Sequence, residues 1–246
     1  MFPEAVRSRP AYQKFVTTPL ERLLVRYRLH RLGVGRHFDL SFKRRFMAGE
    51  RFSTDEIEEK YDRTWQKFVD DCVTGDDLET IIAHLDADSR TVLEVGCGAG
   101  RVAREVARTG RRVTGVDISG EALKLARAAA ERDRLDIEWV KAPVEHLPFA
   151  DSSFDVVLTA HTLEHVQDLD AAVAELRRVA ARQLIVIVPR EDRLNELSTD
   201  YHFQCFPTAE ALERAIGLPD ATCFVARTHN EQWQGEYVFF AGRLAD

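Results

Sequence analysis

The chain is poor in sulfur and has no long apolar stretch. No run of 18 apolar residues occurs in its 246 positions, so no transmembrane helix is expected. Residues 1–20 lack the apolar h-region of a secretory signal. The four cysteines, Cys72, Cys97, Cys205 and Cys223, contain no C-x-x-C spacing and indicate neither a zinc site nor a disulfide framework. Reduced thiols in a cytoplasmic protein are the simplest reading. There is no overall basic excess. A net charge of −7 argues against a general nucleic-acid partner. Internal repeats and low-complexity tracts are absent too.

The residues that are present suffice for one α/β core with an extension, since 45% are apolar. Charge is unevenly spread. Residues 1–50 carry 11 Lys/Arg against 4 Asp/Glu, a net of +7, whereas the remainder carries −14. Ser53-Thr54-Asp55-Glu56 forms a capping box, with Phe52 and Ile57 fitting a hydrophobic staple around it. The helix that follows puts Ile57, Tyr61, Phe68, Val69 and Cys72 near one face. A second helix after Thr74-Gly75 presents Leu78, Ile81, Ile82 and Leu85 at i, i+3, i+4, i+7. Residues 1–75 therefore read as a helical cap, and 76–246 as the main domain.

From Thr91 strands and helices alternate. Strands are expected near 91–96, 112–117, 136–140, 154–159 and 183–188, with helices near 100–109, 120–132 and 168–181. Leu184-Ile185-Val186-Ile187-Val188 is unbroken and apolar, as a strand covered on both faces should be. Such alternation implies right-handed crossovers and a doubly wound, Rossmann-like parallel sheet. Two further strands, near 221–228 and 235–243, are joined closely enough to be an antiparallel pair.

Residues 92–101, Val-Leu-Glu-Val-Gly-Cys-Gly-Ala-Gly-Arg, run a buried strand into three alternating glycines and a helix. A ligand there would meet bare backbone and a helix N-terminus. Asp117 ends the next strand, where a carboxylate takes two ribose hydroxyls. A dinucleotide fingerprint would need glycine at position 101, which is Arg101. The form E-x-G-x-G-x-G instead resembles motif I of the class I S-adenosylmethionine (SAM) dependent methyltransferases. Asp117, the segment Leu147-Pro148-Phe149 through Phe154-Asp155-Val156-Val157, and Thr162-Leu163-Glu164-His165-Val166 extend the resemblance. Within that family the chain is similar to the small-molecule and glycan type and to the ubiquinone/menaquinone group. A nicotinamide-dependent oxidoreductase is the rival reading of the glycine turn alone.

The resemblance implies a seven-stranded sheet in the order 3-2-1-4-5-7-6 with the last strand antiparallel. It implies SAM as cofactor and S-adenosylhomocysteine as product. Gly96, Cys97, Gly98 and Gly100 would pass the methionyl part and Glu94 would lie near its ammonium, or else tie down the turn. Asp117 would hold the ribose and Ile118 would lie against the adenine. Pro143 stands where the family often has an aspartate, so adenine recognition would shift to the backbone of Val144 and to Glu145. Ala160, at the end of the fourth strand, completes the cofactor set.

Methyl transfer needs a base only for a weakly acidic acceptor such as a hydroxyl. His161, after Thr159-Ala160, and His202, in Tyr201-His202-Phe203-Gln204-Cys205-Phe206-Pro207, are the catalytic candidates. His165 and Glu164 read as packing residues, His146 as a further histidine of the region, and no spacing specifies a metal. The expected activity is methyl transfer from SAM to a small-molecule, saccharide or lipid-linked acceptor, most simply at oxygen. Transfer to nitrogen or carbon, or a non-catalytic partner with this fold, are the alternatives. Thr159-Ala160-His161-Thr162 stands where nucleic-acid enzymes carry Asn-Pro-Pro-Tyr or Asp-Pro-Pro-Tyr, so a nucleic-acid acceptor is not expected. In the cap, Leu20, Leu23, Leu24 and Tyr27 share a face apart from Arg22, Arg26 and His30. That pattern suits a solvated helix, a lid over an anionic acceptor, or peripheral contact with an anionic membrane. Oligomeric state is left open.

Overall fold

Two faces of one sheet account for the apolar pattern. The computed structural model describes residues 42, 45–46, 48–66, 75–191, 202–229 and 234–244. Contacts divide the chain into one unit of residues 1–50 and 195–201 and another of 51–194 and 202–246. In the first, the Arg45 guanidinium lies 5.7 Å from the Phe42 ring centre and pairs with Glu50 at 2.7 Å. The cap helix expected around Leu20–Tyr27 lies outside the described residues, as do Phe68, Val69 and Cys72. No helix among the described residues is long and apolar enough to cross a membrane.

The second unit begins with α1 (Thr54–Trp65) and α2 (Gly75–His84). It continues through β1 (Thr91–Val95), α3 (Arg101–Arg108), β2 (Arg112–Asp117), α4 (Gly120–Asp133), β3 (Ile137–Lys141) and β4 (Phe154–Ala160). After a single 3-10 turn at Leu163–His165 come α5 (Leu169–Val179), β5 (Ala180–Pro189), α6 (Ala209–Ile216), β6 (Thr222–His229) and β7 (Gln234–Arg243). The sheet order is β3-β2-β1-β4-β5-β7-β6. β1 to β5 pair in parallel, and β7 runs antiparallel to both β5 and β6. This is the order that the resemblance implied. Helix α1, grouped with the cap in the sequence reading, belongs to the same unit as the sheet.

Alternation along each strand divides the core. Leu93, Val95, Val157, Leu184, Val186, Val188 and Phe240 pack on one face against α5 and α6, through Val173, Leu176, Leu212 and Ile216. Val92, Val156, Leu158, Ile185, Ile187 and Phe239 pack on the other against α2 and α3, through Ile81, Leu85, Val102 and Val106. β5 is therefore buried on both sides, which is why its sequence shows no polar alternation. α5 passes into β5 without a loop. Val179 ends the helix and Ala180 already has extended backbone (φ −81°, ψ 129°). The helix thus ends two residues earlier than expected and the strand begins three residues earlier.

Capping sets the helix starts. Ser53 and Glu56 make the reciprocal box that begins α1, and Ser119, Asp168 and Thr208 cap α4, α5 and α6. Gln167 holds the chain entering α1, its amide accepting from Phe52 N–H at 2.8 Å and donating to Phe52 O at 2.9 Å. At the amino edge of the sheet, Asp155 Oδ2 accepts from the amides of Arg90 (2.7 Å) and Thr91 (2.9 Å). The Arg90 amide is the main cause that holds this carboxyl below its ordinary value of 3.8.

Two predictions follow from packing and charge. Gly115 faces Trp139 across the β2–β3 register, and a Cβ there would lie 2.4 Å from the indole. Gly115→Ala should destabilise the fold by about 1–3 kcal/mol, and by much less in a Trp139→Leu background. Urea unfolding of the four proteins measures the coupling, and additive effects would refute the packing claim. Asp155→Ala should cost about 1 kcal/mol at neutral pH. Because the folded-state pKa is depressed, this contribution is complete above 3.8 and lost as pH falls below it. The stability gap between wild type and variant should therefore close in acid, and a gap independent of pH would contradict the assignment.

Candidate functional site

The carboxyl ends of β1 and β4, where strand order reverses, carry the candidate site. β1 is followed by Gly96 (φ 73°), Gly98 (φ 52°) and Gly100 (φ 74°). The amides of Gly96 and Cys97 donate to Val116 O at 2.8 and 2.9 Å, so the turn folds over the end of β2. Asp117 closes it. Its Oδ2 accepts from the Gly98 amide and its Oδ1 from the Ser119 amide, both at 2.8 Å. Glu94 is buried, and its Oε2 accepts from the Ala103 amide at 2.7 Å. It therefore ties the turn to the first turn of α3.

The glycines are required by the protein's own side chains. A Cβ on Gly96 would lie 2.0 Å from Thr162 Oγ1, and one on Gly98 would lie 2.7 Å from the Trp65 ring. The sequence reading had only a ligand in that space. Trp65 belongs to α1, which crosses to this edge and is fastened there. Asp62 accepts from Ser119 Oγ at 2.6 Å and from the Glu121 amide at 3.1 Å. Burial works against the charge on Asp62, but the hydrogen bonds from Ser119 and Glu121 hold its pKa low. Lys141, at the end of β3, pairs with Glu58 one turn earlier in α1.

The other expected cofactor residues fall around this edge. Ile118 is half-buried beside Asp117. The Ala142 amide donates to Asp117 O at 3.2 Å, which brings the loop carrying Pro143, Val144 and Glu145 to the same place. The Val144 side chain is in the core, leaving its backbone for recognition. Burial pushes the Glu145 carboxyl up. Cys97 is buried, and a Cβ on Gly115 would come within 3.1 Å of its Sγ, so its side chain packs inward. Ala160 is buried at the end of β4. Leu147 and Phe149 are pinned from α5, where Glu175 accepts from the Leu147 amide and Arg178 donates to both carbonyls.

Beyond β4 the histidines meet carboxylates. His161 has left-handed backbone (φ 53°), and its amide donates to Ile187 O at 2.8 Å. Its Nε2 lies 3.2 Å from Asp77 Oδ2 and its Nδ1 lies 3.7 Å from Glu164 Oε1. Burial opposes charging the ring, but the hydrogen bonds to Asp77 and Glu164 outweigh it and push the pKa up to about 9. Glu164 is buried more deeply, and the nearby His165, His161 and His202 hold its carboxyl low against that burial. His202 Nδ1 lies 2.7 Å from Glu191 Oε2. The rings of His165 and His202 meet edge to face, 4.8 Å between centres. Amides of Phe203 (2.6 Å) and Gln204 (3.0 Å) donate to Glu164 O and join the loops after β4 and β5. The two catalytic candidates thus share one cluster, and Glu164 stands between them.

Sequence reasoning missed Asp62, Trp65, Asp77 and Glu191. Asp77 is 84 positions from His161, and only the docking of α2 brings them together. The chemistry of the donor set fits an adenosyl cofactor. Each Asp117 oxygen accepts one amide, and the carboxylate lies next to a turn of bare backbone at a helix N-terminus, where it can also accept from a hydroxyl.

Comparison with known proteins agrees with this geometry. Residues 93–188 match the family model described as a methyltransferase domain. The chain is 39% identical over 156 residues to a ubiquinone biosynthesis O-methyltransferase of Alkalilimnicola ehrlichii, covering 61% of this chain and 60% of that protein. It is 42% identical over 95 residues to a 2-phytyl-1,4-naphtoquinone methyltransferase of Trichormus variabilis, covering 36% and 41%. The matches span between about two fifths and three fifths of the length of these curated relatives. Magnesium protoporphyrin IX methyltransferase from Synechocystis PCC 6803, solved with bound SAH, has the same fold at a TM-score of 0.60 and 16% identity, over 77% of this chain and all of that one. Motif, sheet order and family match agree: residues 93–188 match a methyltransferase domain, and the fold is that of the class I S-adenosylmethionine-dependent methyltransferases.

Proposed function

We propose that this chain transfers a methyl group from SAM to a hydroxyl of a small molecule, with a quinone-type acceptor favoured over a saccharide. The observation that carries the reading is Asp117, a buried carboxylate at the strand switch point that accepts one backbone amide on each oxygen beside the glycine turn. The ubiquinone biosynthesis O-methyltransferase supports oxygen as the methylated atom, and both relatives' names support a quinone-type acceptor class.

SAM supplies a methyl group already activated on a sulfonium. The chain's task is to align the acceptor, exclude water and manage the hydroxyl proton. Gly96, Gly98, Gly100 and Asp117 would orient the cofactor, with Ile118, Val144, Glu145 and Ala160 around it. Glu94 keeps the turn in register with α3. We assign the acceptor side to His202, backed by Glu191. His161 has a different part. With its pKa near 9 it carries a proton at neutral pH, so it cannot accept one and instead balances Asp77 and Glu164.

Calorimetry with S-adenosylhomocysteine tests the cofactor half. Asp117→Ala should weaken binding by about 1.5–3 kcal/mol, the scale of charge-assisted hydrogen bonds. Gly98→Val should abolish it, because a left-handed turn at φ 52° and the Trp65 ring both reject a branched side chain. Wild-type affinity in both variants would sink the site. Labelled methyl transfer tests the other half. His202→Ala should lower kcat about 10²–10⁴-fold with cofactor affinity retained. His161→Ala should instead lower stability by about 3–5 kcal/mol, since it removes the ring that faces the fully buried Asp77 carboxylate. The division of roles fails if His202→Ala turns over normally or if His161→Ala unfolds like wild type.

A further inference from the structure

Glu164, His165 and His202 present one ligand atom each within 4.8 Å of one another, and from these side chains we propose a binding site for a divalent transition-metal ion of the zinc type. Glu164 Oε1 and His165 Nε2 are 3.7 Å apart, against the roughly 3.4 Å that a tetrahedral ion with bonds of about 2.1 Å imposes. Glu164 Oε2 is a second, independent pointer. It is buried in a residue only 1% exposed and finds no hydrogen-bond partner, as does Oδ1 of the fully buried Asp77. His161 lies between these two carboxylates, 3.2 Å from Asp77 Oδ2 and 3.7 Å from Glu164 Oε1.

The surroundings are built for ligation. With His202 Nδ1 donating to Glu191, the lone pair of that ring is on Nε2, which is the carboxylate–histidine arrangement that raises ligand basicity. The Phe203 and Gln204 amides on Glu164 O hold the two contributing loops together, so the ligands need no backbone movement to converge. Two imidazoles and one carboxylate suit zinc, cobalt, manganese or iron(II) better than magnesium or calcium, which take oxygen. Three protein ligands leave a coordination position open.

The role of the ion rests on the proposed transfer to oxygen. A hydroxyl in the open position would be acidified and release its proton to water. Its oxygen lone pair would form the new C–O bond as the C–S bond breaks, and that electron pair would return to sulfur to leave the neutral thioether. His202 would then act as a ligand, with no proton to accept.

The test is titration of the full chain, stripped with EDTA, with Co²⁺ and then Zn²⁺ and without cofactor. One equivalent of Co²⁺ should give the visible absorption of a low-coordinate site and be displaced by Zn²⁺. His165→Ala and His202→Ala should lose that band, and His146→Ala, on the exposed loop after β3, should keep it. Glu191→Gln should weaken Zn²⁺ binding about 10–100-fold, and it decides the matter if the ligand variants do not fold. No stoichiometric binding, or wild-type affinity in Glu191→Gln and the histidine variants, overturns the site. Full methyl transfer in EDTA overturns the activating role while sparing the methyltransferase reading. Absence of methyl transfer with the ion bound overturns that reading and spares the site.

Discussion

The Asp117 carboxylate holds the functional edge together. It ends β2, fixes the Gly98 amide on one oxygen and the Ser119 amide on the other, and so couples the glycine turn to the start of α4. Ser119 in turn caps α4 and donates to Asp62 of α1. A single anionic group thereby joins β1, β2 and two helices. Its negative charge is tolerated because amides satisfy it, and it lies where the sheet order reverses. The left-handed backbone of the turn is affordable only with glycine, and Thr162 and Trp65 then fill the space left by the missing side chains.

A second constraint follows from burial. Once α2 docks against the sheet, Asp77 is fully buried and needs a cation, which His161 supplies. The same ring lies near Glu164, whose backbone carbonyl joins the loops after β4 and β5. Structural charge balance and the acceptor side of the site are therefore one network. This is why His161 and His202, alike in sequence context, are suited to different tasks.

Much of the fold was legible because it rests on short-range periodicity. The alternating segments from Thr91, the unbroken apolar run of β5 and the Ser53–Glu56 box each report local geometry, and all are found. The α5–β5 junction was misjudged by two or three residues because Ala180 and Ala181 suit either state. Glu94 was left between two roles, and the structure shows its bond to the α3 amide. The carboxylate partners were not legible. Asp77 and Glu191 lie in segments whose local pattern reads as ordinary polar helix and loop. Only tertiary packing across 84 and 11 positions gives them histidine partners. Glu164 read as a packing residue for the same reason, since its neighbours His161 and His165 were visible but its nearness to His202 was not.

The most direct measurement is a crystal structure of the chain with S-adenosylhomocysteine. The account predicts both ribose hydroxyls within hydrogen-bond distance of Asp117, the adenine beside Ile118 and the Val144 backbone, and the sulfur directed toward His202. A nucleoside bound elsewhere, or an Asp117 that makes no contact with the ribose, would contradict it.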